Sequence, residues 1–252
     1  MKKLASVVTA VLLALIVAAP VPAASTPSAK AAAALGEIYA LGTAAAEANA
    51  GSPVSTQDTG WVTIARSHIK TPSLKDLSFD VAMQCGINTF TSVASKGGNK
   101  DTAVATGAVT VRVKVTTPDG SIRYAVPNEE GKVDQGVTYC SRVQELSATF
   151  QGIIAGCIAA DGTINLNDTC LQPEEVSLLL KSLSANSFNF LAPDVPPGVQ
   201  TIEVQARGQA TSALFGSQLG SAKGEAFVGV GSMRVETIRM IKDADLGPVD
   251  LE

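Results

Sequence analysis

The chain is short of the residues from which most active sites are built. Its 252 residues include one histidine, and aromatics make up 4% of the total. A lone histidine excludes any site that needs two, and a Ser-His-Asp triad would have to use it. That residue, His68, sits beside Arg66, Ser67 and Lys70 in a segment with strand character. No Gly-x-Ser-x-Gly elbow accompanies it, so it reads as a surface strand residue. Charge is sparse and acidic on balance, with 19 Lys and Arg against 23 Asp and Glu. That balance leaves no clustered basic surface for nucleic acid. No two cysteines have C-x-x-C spacing, so neither a zinc site nor a thiol redox motif is expected. Gly229-x-Gly231 lacks the third glycine of a dinucleotide fingerprint, because Arg234 stands there, and no βαβ pattern surrounds it. No cofactor is expected.

The N-terminus is richer in signal. Lys2 and Lys3 precede an uncharged run from Leu4 to Ala19, and Pro20 and Pro22 end it. Val21-Pro22-Ala23 places small residues at the −3 and −1 positions of a signal peptidase. The pattern predicts a secretory signal peptide over residues 1–23. The run is shorter than the roughly 20 residues that span a bilayer, and no later segment is long and apolar enough, so no membrane association is expected after cleavage. Loss of Lys2 and Lys3 would take the net charge from −4 to −6.

Four cysteines follow, Cys85, Cys140, Cys157 and Cys170. An even number in an exported chain predicts two disulfides. Cys157 and Cys170 flank an Asp161-Gly162 turn between short apolar stretches, which favours that pair and leaves Cys85 for Cys140. The stretch Asp161–Asp168 resembles the second half of a calcium loop. The first and third ligand positions would fall on Cys157 and Ala159, which do not supply the needed oxygens, so a disulfide-closed hairpin turn is the expectation. Asn167-Asp168-Thr169 is a glycosylation sequon, which a bacterial type of signal peptide would leave silent.

Residues 24–60 form an alanine-rich lead. Alanine has the highest helix propensity, and Leu35, Ile38, Tyr39 and Leu41 have helical spacing, so either a helix near 29–48 or a poorly ordered linker is expected there. From Trp61 onward the period becomes two. Leu77, Phe79, Val81, Met83, Cys85 and Ile87 alternate with Ser78, Asp80, Ala82, Gln84 and Gly86, as do Val109, Val111, Val113 and Val115 with Thr110, Arg112, Lys114 and Thr116. Such alternation is the mark of a strand with one buried face. Thr117-Pro118-Asp119-Gly120 supplies turn chemistry, so 107–127 reads as a hairpin. Further strands are predicted near 137–154, 163–167, 187–192, 199–207 and 224–241. Val176, Leu179, Leu180 and Leu183 fit a helix stripe, and Val176, Leu178 and Leu180 fit a strand; the surroundings favour a strand. The whole predicts a single all-β domain over 61–252, an antiparallel β-sandwich with jelly-roll-like pairing.

Three stretches taken together, Ser184–Phe190, Pro197–Ala206 and Gly229–Glu236, resemble a group of secreted prokaryotic proteins of unknown function. The resemblance covers the C-terminal third. It implies a β-sandwich and export, and carries no activity.

Candidate sites are few. Carboxylates Asp80, Asp101, Asp119, Glu129, Glu130, Asp134 and Asp161 fall mostly in loops, and a glycosidase needs two of them in one cleft. Asp58-Thr59-Gly60 is one aspartic-protease triplet where two are required. A sugar platform needs an exposed aromatic, and Trp61 with Tyr124 is the best pair. The leading expectation is a secreted, non-catalytic protein that binds or assembles at the cell surface or outside the cell. Its partners would be further copies of itself, or an extracellular polymer or glycan. The alternatives are a carbohydrate-binding module and a two-carboxylate glycoside hydrolase.

Overall fold

The computed structural model describes residues 31–36, 44–95, 97–129, 132, 134–165, 170–216 and 219–240. The predicted signal peptide, the sequon and Glu130 lie outside the described residues. The strands are β1 (Ala31–Gly36), β2 (Ala44–Ala48), β3 (Val54–Asp58), β4 (Val62–Thr71), β5 (Lys75–Ser95), β6 (Lys100–Thr116), β7 (Ile122–Tyr124), β8 (Val137–Thr149), β9 (Glu174–Val195), β10 (Gly198–Phe215) and β11 (Ser221–Ile238). One short 3-10 turn spans Ile154–Cys157.

All pairings between these strands are antiparallel and form two sheets. In the first, β1 and β2 lie end to end along β11, followed by β5 and then β9. In the second, β3 and β4 lie end to end along β10, followed by β6, whose far side carries β7 and β8. With each end-to-end pair taken as one position, chain order pairs as 1-8-3-6 and 2-7-4-5. That is the jelly-roll pattern of two stacked sheets, and the chain is an all-β sandwich.

Alternation places the core. Leu77, Phe79, Val81, Met83, Cys85 and Ile87 of β5 are buried, as are Val109, Val111, Val113 and Val115 of β6. Each fully buried valine contributes on the order of 2 kcal/mol from surface removed from water. Most of these β5 and β6 residues pack in one cluster with Phe190, Ile202, Val204, Met233 and Val235 among others. At the other end of the sandwich the packing is mostly alanine: Ala44, Ala46 and Ala210 in one group, and Ala48, Ala103, Ala105 and Ala222 with Val93 and Leu214 in another. Small side chains let the sheets approach. A Cβ at Gly224 would stand 2.3 Å from the backbone oxygen of Thr106 in the facing sheet.

Three expectations change. The alanine-rich segment is not helical where it is described. Ala44–Ala48 alternates buried and exposed along β11, and Ala31–Gly36 continues the same edge. Helix propensity is a weak prior, and alanine was selected here by the narrow gap between sheets. The sheets therefore take in strands from ahead of Trp61. The strand expected near 163–167 is reduced, over its described part, to a single bridge between Ile158 and Ile164. The ambiguous 175–183 segment and the 187–192 strand are one strand of 22 residues.

Both disulfides form as expected. Cys85 pairs with Cys140 and Cys157 with Cys170, at Cα separations of 6.4 and 4.9 Å, inside the range a disulfide spans. The first ties β5 of one sheet to β8 of the other. Two disulfides point to an oxidising compartment. Among the described residues no helix is long and apolar enough to cross a membrane.

Candidate binding surfaces

Two surfaces stand out, one polar and one apolar. The polar surface is the outer face of the second sheet, where even-numbered β6 residues meet odd-numbered β10 residues. Glu203 accepts from Lys114 at 2.9 Å and from Arg66 on β4. Burial pushes its carboxyl pKa up, and the hydrogen bonds from Lys114 and Arg66 more than reverse this, so the net shift is downward. One step along, Arg207 forks onto Asp58 of β3. That hydrogen bonding outweighs burial and holds the Asp58 carboxyl down to about 2.

Between these pairs lies Arg112, buried to 8% exposure. Its Nε donates to Gln205 Oε1 at 2.8 Å and one terminal nitrogen donates to the Asp134 carbonyl at 2.8 Å. The guanidinium lies 4.1 Å from the ring centroid of Trp61 and 4.5 Å from that of Tyr124. The two aromatics singled out in the sequence are therefore brought together, with Arg112 between them. Each gives a ring face to a cation–π contact, which is an attractive use of the ring quadrupole. Arg112 itself was missed. Its only signal in the sequence is its outward position in the valine alternation.

Of the carboxylates singled out in the sequence, most stand apart. Asp101 is buried. Asp119 accepts from the Ser121 amide in the β6–β7 turn. Glu129 takes the Thr138 amide at 2.6 Å. Asp161 accepts from the amide and hydroxyl of Thr163 at 2.9 and 2.7 Å inside the disulfide-closed hairpin turn. Asp80 and Glu236 share the outer face of the first sheet, where Arg234 pairs with Glu236 at 2.8 Å. Among the described residues, every carboxyl with a clear shift (Asp58, Asp119, Asp161, Glu203 and Glu225) is shifted down. His68 is exposed on β4, with Nδ1 3.3 Å from the Thr201 hydroxyl.

The apolar surface is β9. It is the last strand of its sheet, paired along its length with β5, and among the described residues its other side carries one backbone bridge, from Leu191 to Val126. From Val176 to Phe188 it leaves Val176, Leu178, Leu179, Leu180, Leu183 and Phe188 exposed, with Leu183 at 62%. The segment leading into it also leaves Ile153, Ile154, Ile158 and Ile164 exposed. Underneath, the seam to β8 is closed by a buried amide. Gln144 Oε1 accepts from Thr89 at 2.7 Å, and its nitrogen donates to Thr91 Oγ1 at 2.8 Å and to the Leu178 carbonyl at 2.9 Å. Asn186 donates to the Tyr139 carbonyl at 2.8 Å across the same seam. The Tyr139 hydroxyl donates to the Val81 carbonyl at 2.8 Å, and burial, with the Asp80 charge, pushes its pKa up. A long edge strand that exposes this many apolar side chains is a template for strand pairing.

No known protein family matches the chain, and no curated protein matches it. Among solved structures, an Eiger TNF from S. frugiperda aligns over 87% of this chain and all of its own, at 8% identity and a TM-score of 0.23. An infectious bursal disease virus Gt strain structure aligns over 82% of this chain and 42% of its own, at 10% identity and a TM-score of 0.17. A CocE/NonD family hydrolase from Staphylococcus aureus aligns over 84% and 37%, at 8% identity and a TM-score of 0.20. At these scores none of them bears on function.

Proposed function

We propose that this is an exported, non-catalytic β-sandwich that works by assembly through the β9 edge. The supporting observation is that edge itself: 22 residues without interruption, with a single bridge on its outer side among the described residues, and exposed apolar side chains on both faces. Soluble chains normally blunt such an edge with charge, proline or a bulge. Here the core of the strand carries one charge, Lys181, between Val176 and Phe188. Export is supported by the signal-like N-terminus and by the two disulfides. Sedimentation velocity over a hundredfold range of concentration tests the reading. A sedimentation coefficient that rises with concentration is expected, and a strict monomer throughout would end it.

A second reading has its own observation. Trp61 and Tyr124 do converge, and the depression close by, lined by Glu129, Thr138, Arg207 and Gln209, is polar. A sugar would stack on whichever ring faces Arg112 leaves open. A glycan array comparing the natural chain with Trp61→Ala separates the two readings. Binding lost in the variant supports the glycan reading, and no signal from the natural chain removes it.

A further inference from the structure

The register of β9 carries more than exposure. Its pairing with β5 runs without a shift from Leu77 opposite Ala192 to Ser95 opposite Glu174. On the other side, Leu191 exchanges both its N–H and its C=O with Val126, at 2.7 and 2.8 Å. In an antiparallel ladder the N–H and C=O of one residue point the same way, and the direction reverses at the next residue. Odd-numbered residues of β9, from Glu175 to Leu191, therefore direct their backbone groups away from β5. Side chains follow the same alternation. Leu179 and Lys181 lie on the outer face beside Phe90 and Glu225.

We propose that a second copy of this chain pairs antiparallel with β9 over Glu174–Ser182, about a two-fold axis through Leu178. This rests on the assembly reading above and specifies its partner and register. Two constraints select the register. First, odd residues must face odd residues, because only they present hydrogen-bonding groups at the free edge. Second, Lys181 is the single cation of β9, while Glu174 and Glu175 stand at its start. Glu174 opposite Lys181 would set an even residue against an odd one. Glu175 opposite Lys181 satisfies both constraints. Glu175 is already oriented, since one of its oxygens accepts from Ser92 at 2.5 Å.

The two-fold then generates a symmetric set of neighbours. Two Glu175–Lys181 pairs flank Val176 opposite Leu180, Ser177 opposite Leu179 and Leu178 opposite its own copy. The exposed apolar residues at the start of the strand become mutual neighbours. Directly opposed unlike charges and apolar pairs are the favourable cross-strand combinations. An isologous contact uses the same patch on both partners and closes at two. The other sheet edges are each assembled from two shorter strands, so a closed dimer is expected instead of a fibre.

The test uses the full chain, expressed with its own N-terminus and recovered after export. Sedimentation equilibrium should give a dimer. Lys181→Glu sets carboxylate against carboxylate twice and should weaken the dimer at least tenfold. Glu175→Lys combined with Lys181→Glu recreates the pairs in reverse and should restore it. Leu178→Cys should form a disulfide-linked dimer on a non-reducing gel, because residues at a non-hydrogen-bonded pair bring their Cα atoms to about 4.5 Å; Leu183→Cys should not. Circular dichroism confirms that each variant is folded. A natural chain that stays monomeric overturns both this register and the assembly reading. A dimer indifferent to Lys181→Glu, with no Leu178→Cys cross-link, overturns the register and leaves assembly standing. Growth into long polymers overturns the closed two-fold.

Discussion

The two sides of the sandwich are closed by different means. On one side the chain crosses between sheets itself, as β2 runs through a turn at Asn49–Ser52 into β3, and alanines fill the narrow gap. On the other side β8 leads into β9 through the longer segment that holds the Cys157–Cys170 disulfide, and the seam between the two strands is tied by the Cys85–Cys140 disulfide, the Gln144 amide and Asn186. The difference teaches where function is free to sit. The alanine side spends its apolar residues inward and ends in short, broken strands. The β9 side is pinned from within by polar and covalent links, which leaves a long apolar strand exposed.

The largest effect should come from removing the covalent link. Cys85→Ser with Cys140→Ser frees a loop of 55 residues and should cost about 4 kcal/mol in the chain-entropy model. Denaturant unfolding measures the loss, and hydrogen exchange should quicken in β8 and β9 while β2 and β3 keep their protection. Equal quickening on both sides would erase the contrast. Next, Gly224→Val attacks the alanine side. Its Cβ would collide with the Thr106 backbone oxygen at 2.3 Å, and overpacking of this sort costs about 3 kcal/mol. Unfolding at the natural midpoint would show that the sheets have room to separate there.

Gln144→Ala should follow at about 2 kcal/mol, because three buried hydrogen bonds are lost together. A fourth effect depends on pH and lies on the β3 edge. The folded Asp58 pKa, about 2, lies below its ordinary 3.8. Its contribution is therefore complete above about pH 4 and disappears as pH falls through about 2. Solvent screening at this half-exposed pair limits it to about 0.5–1 kcal/mol. Asp58→Asn should flatten that part of the stability–pH curve. Smallest of all, Leu183→Ser on β9 should change the stability of the dilute monomer by less than about 0.5 kcal/mol. A loss above about 2 kcal/mol would mean that this edge is covered within a single chain.

Much of the fold was legible because alternation is a local property. The valines of β6 and the odd residues of β5 declare their buried face without reference to any other strand. Cysteine pairing was legible for the related reason that Cys157 and Cys170 are close in sequence, and two leftover cysteines have one remaining option. The alanine lead was misread because alanine suits both a helix and a tight gap between sheets, and only the facing sheet reveals the gap. The candidate site was half legible. Trp61 and Tyr124 were visible as residues, but their meeting depends on β4, β6 and β7 lying on one face, and Arg112 was hidden inside a regular alternation. Residues Val176 to Leu183 fitted two periods at once, which in hindsight describes a strand apolar on both faces.

By itself the sequence determined most of the strands after Trp61, which face of most of them is buried, and how many disulfides hold them. These follow from side-chain polarity at spacing two and from the count of thiols. Only the tertiary structure decided that β9 stands at an edge. An apolar run without alternation normally marks a strand buried on both sides. Whether such a strand receives a second neighbour depends on the order of strands in the sheet, which no local pattern encodes, and in this chain that order leaves one side of β9 open.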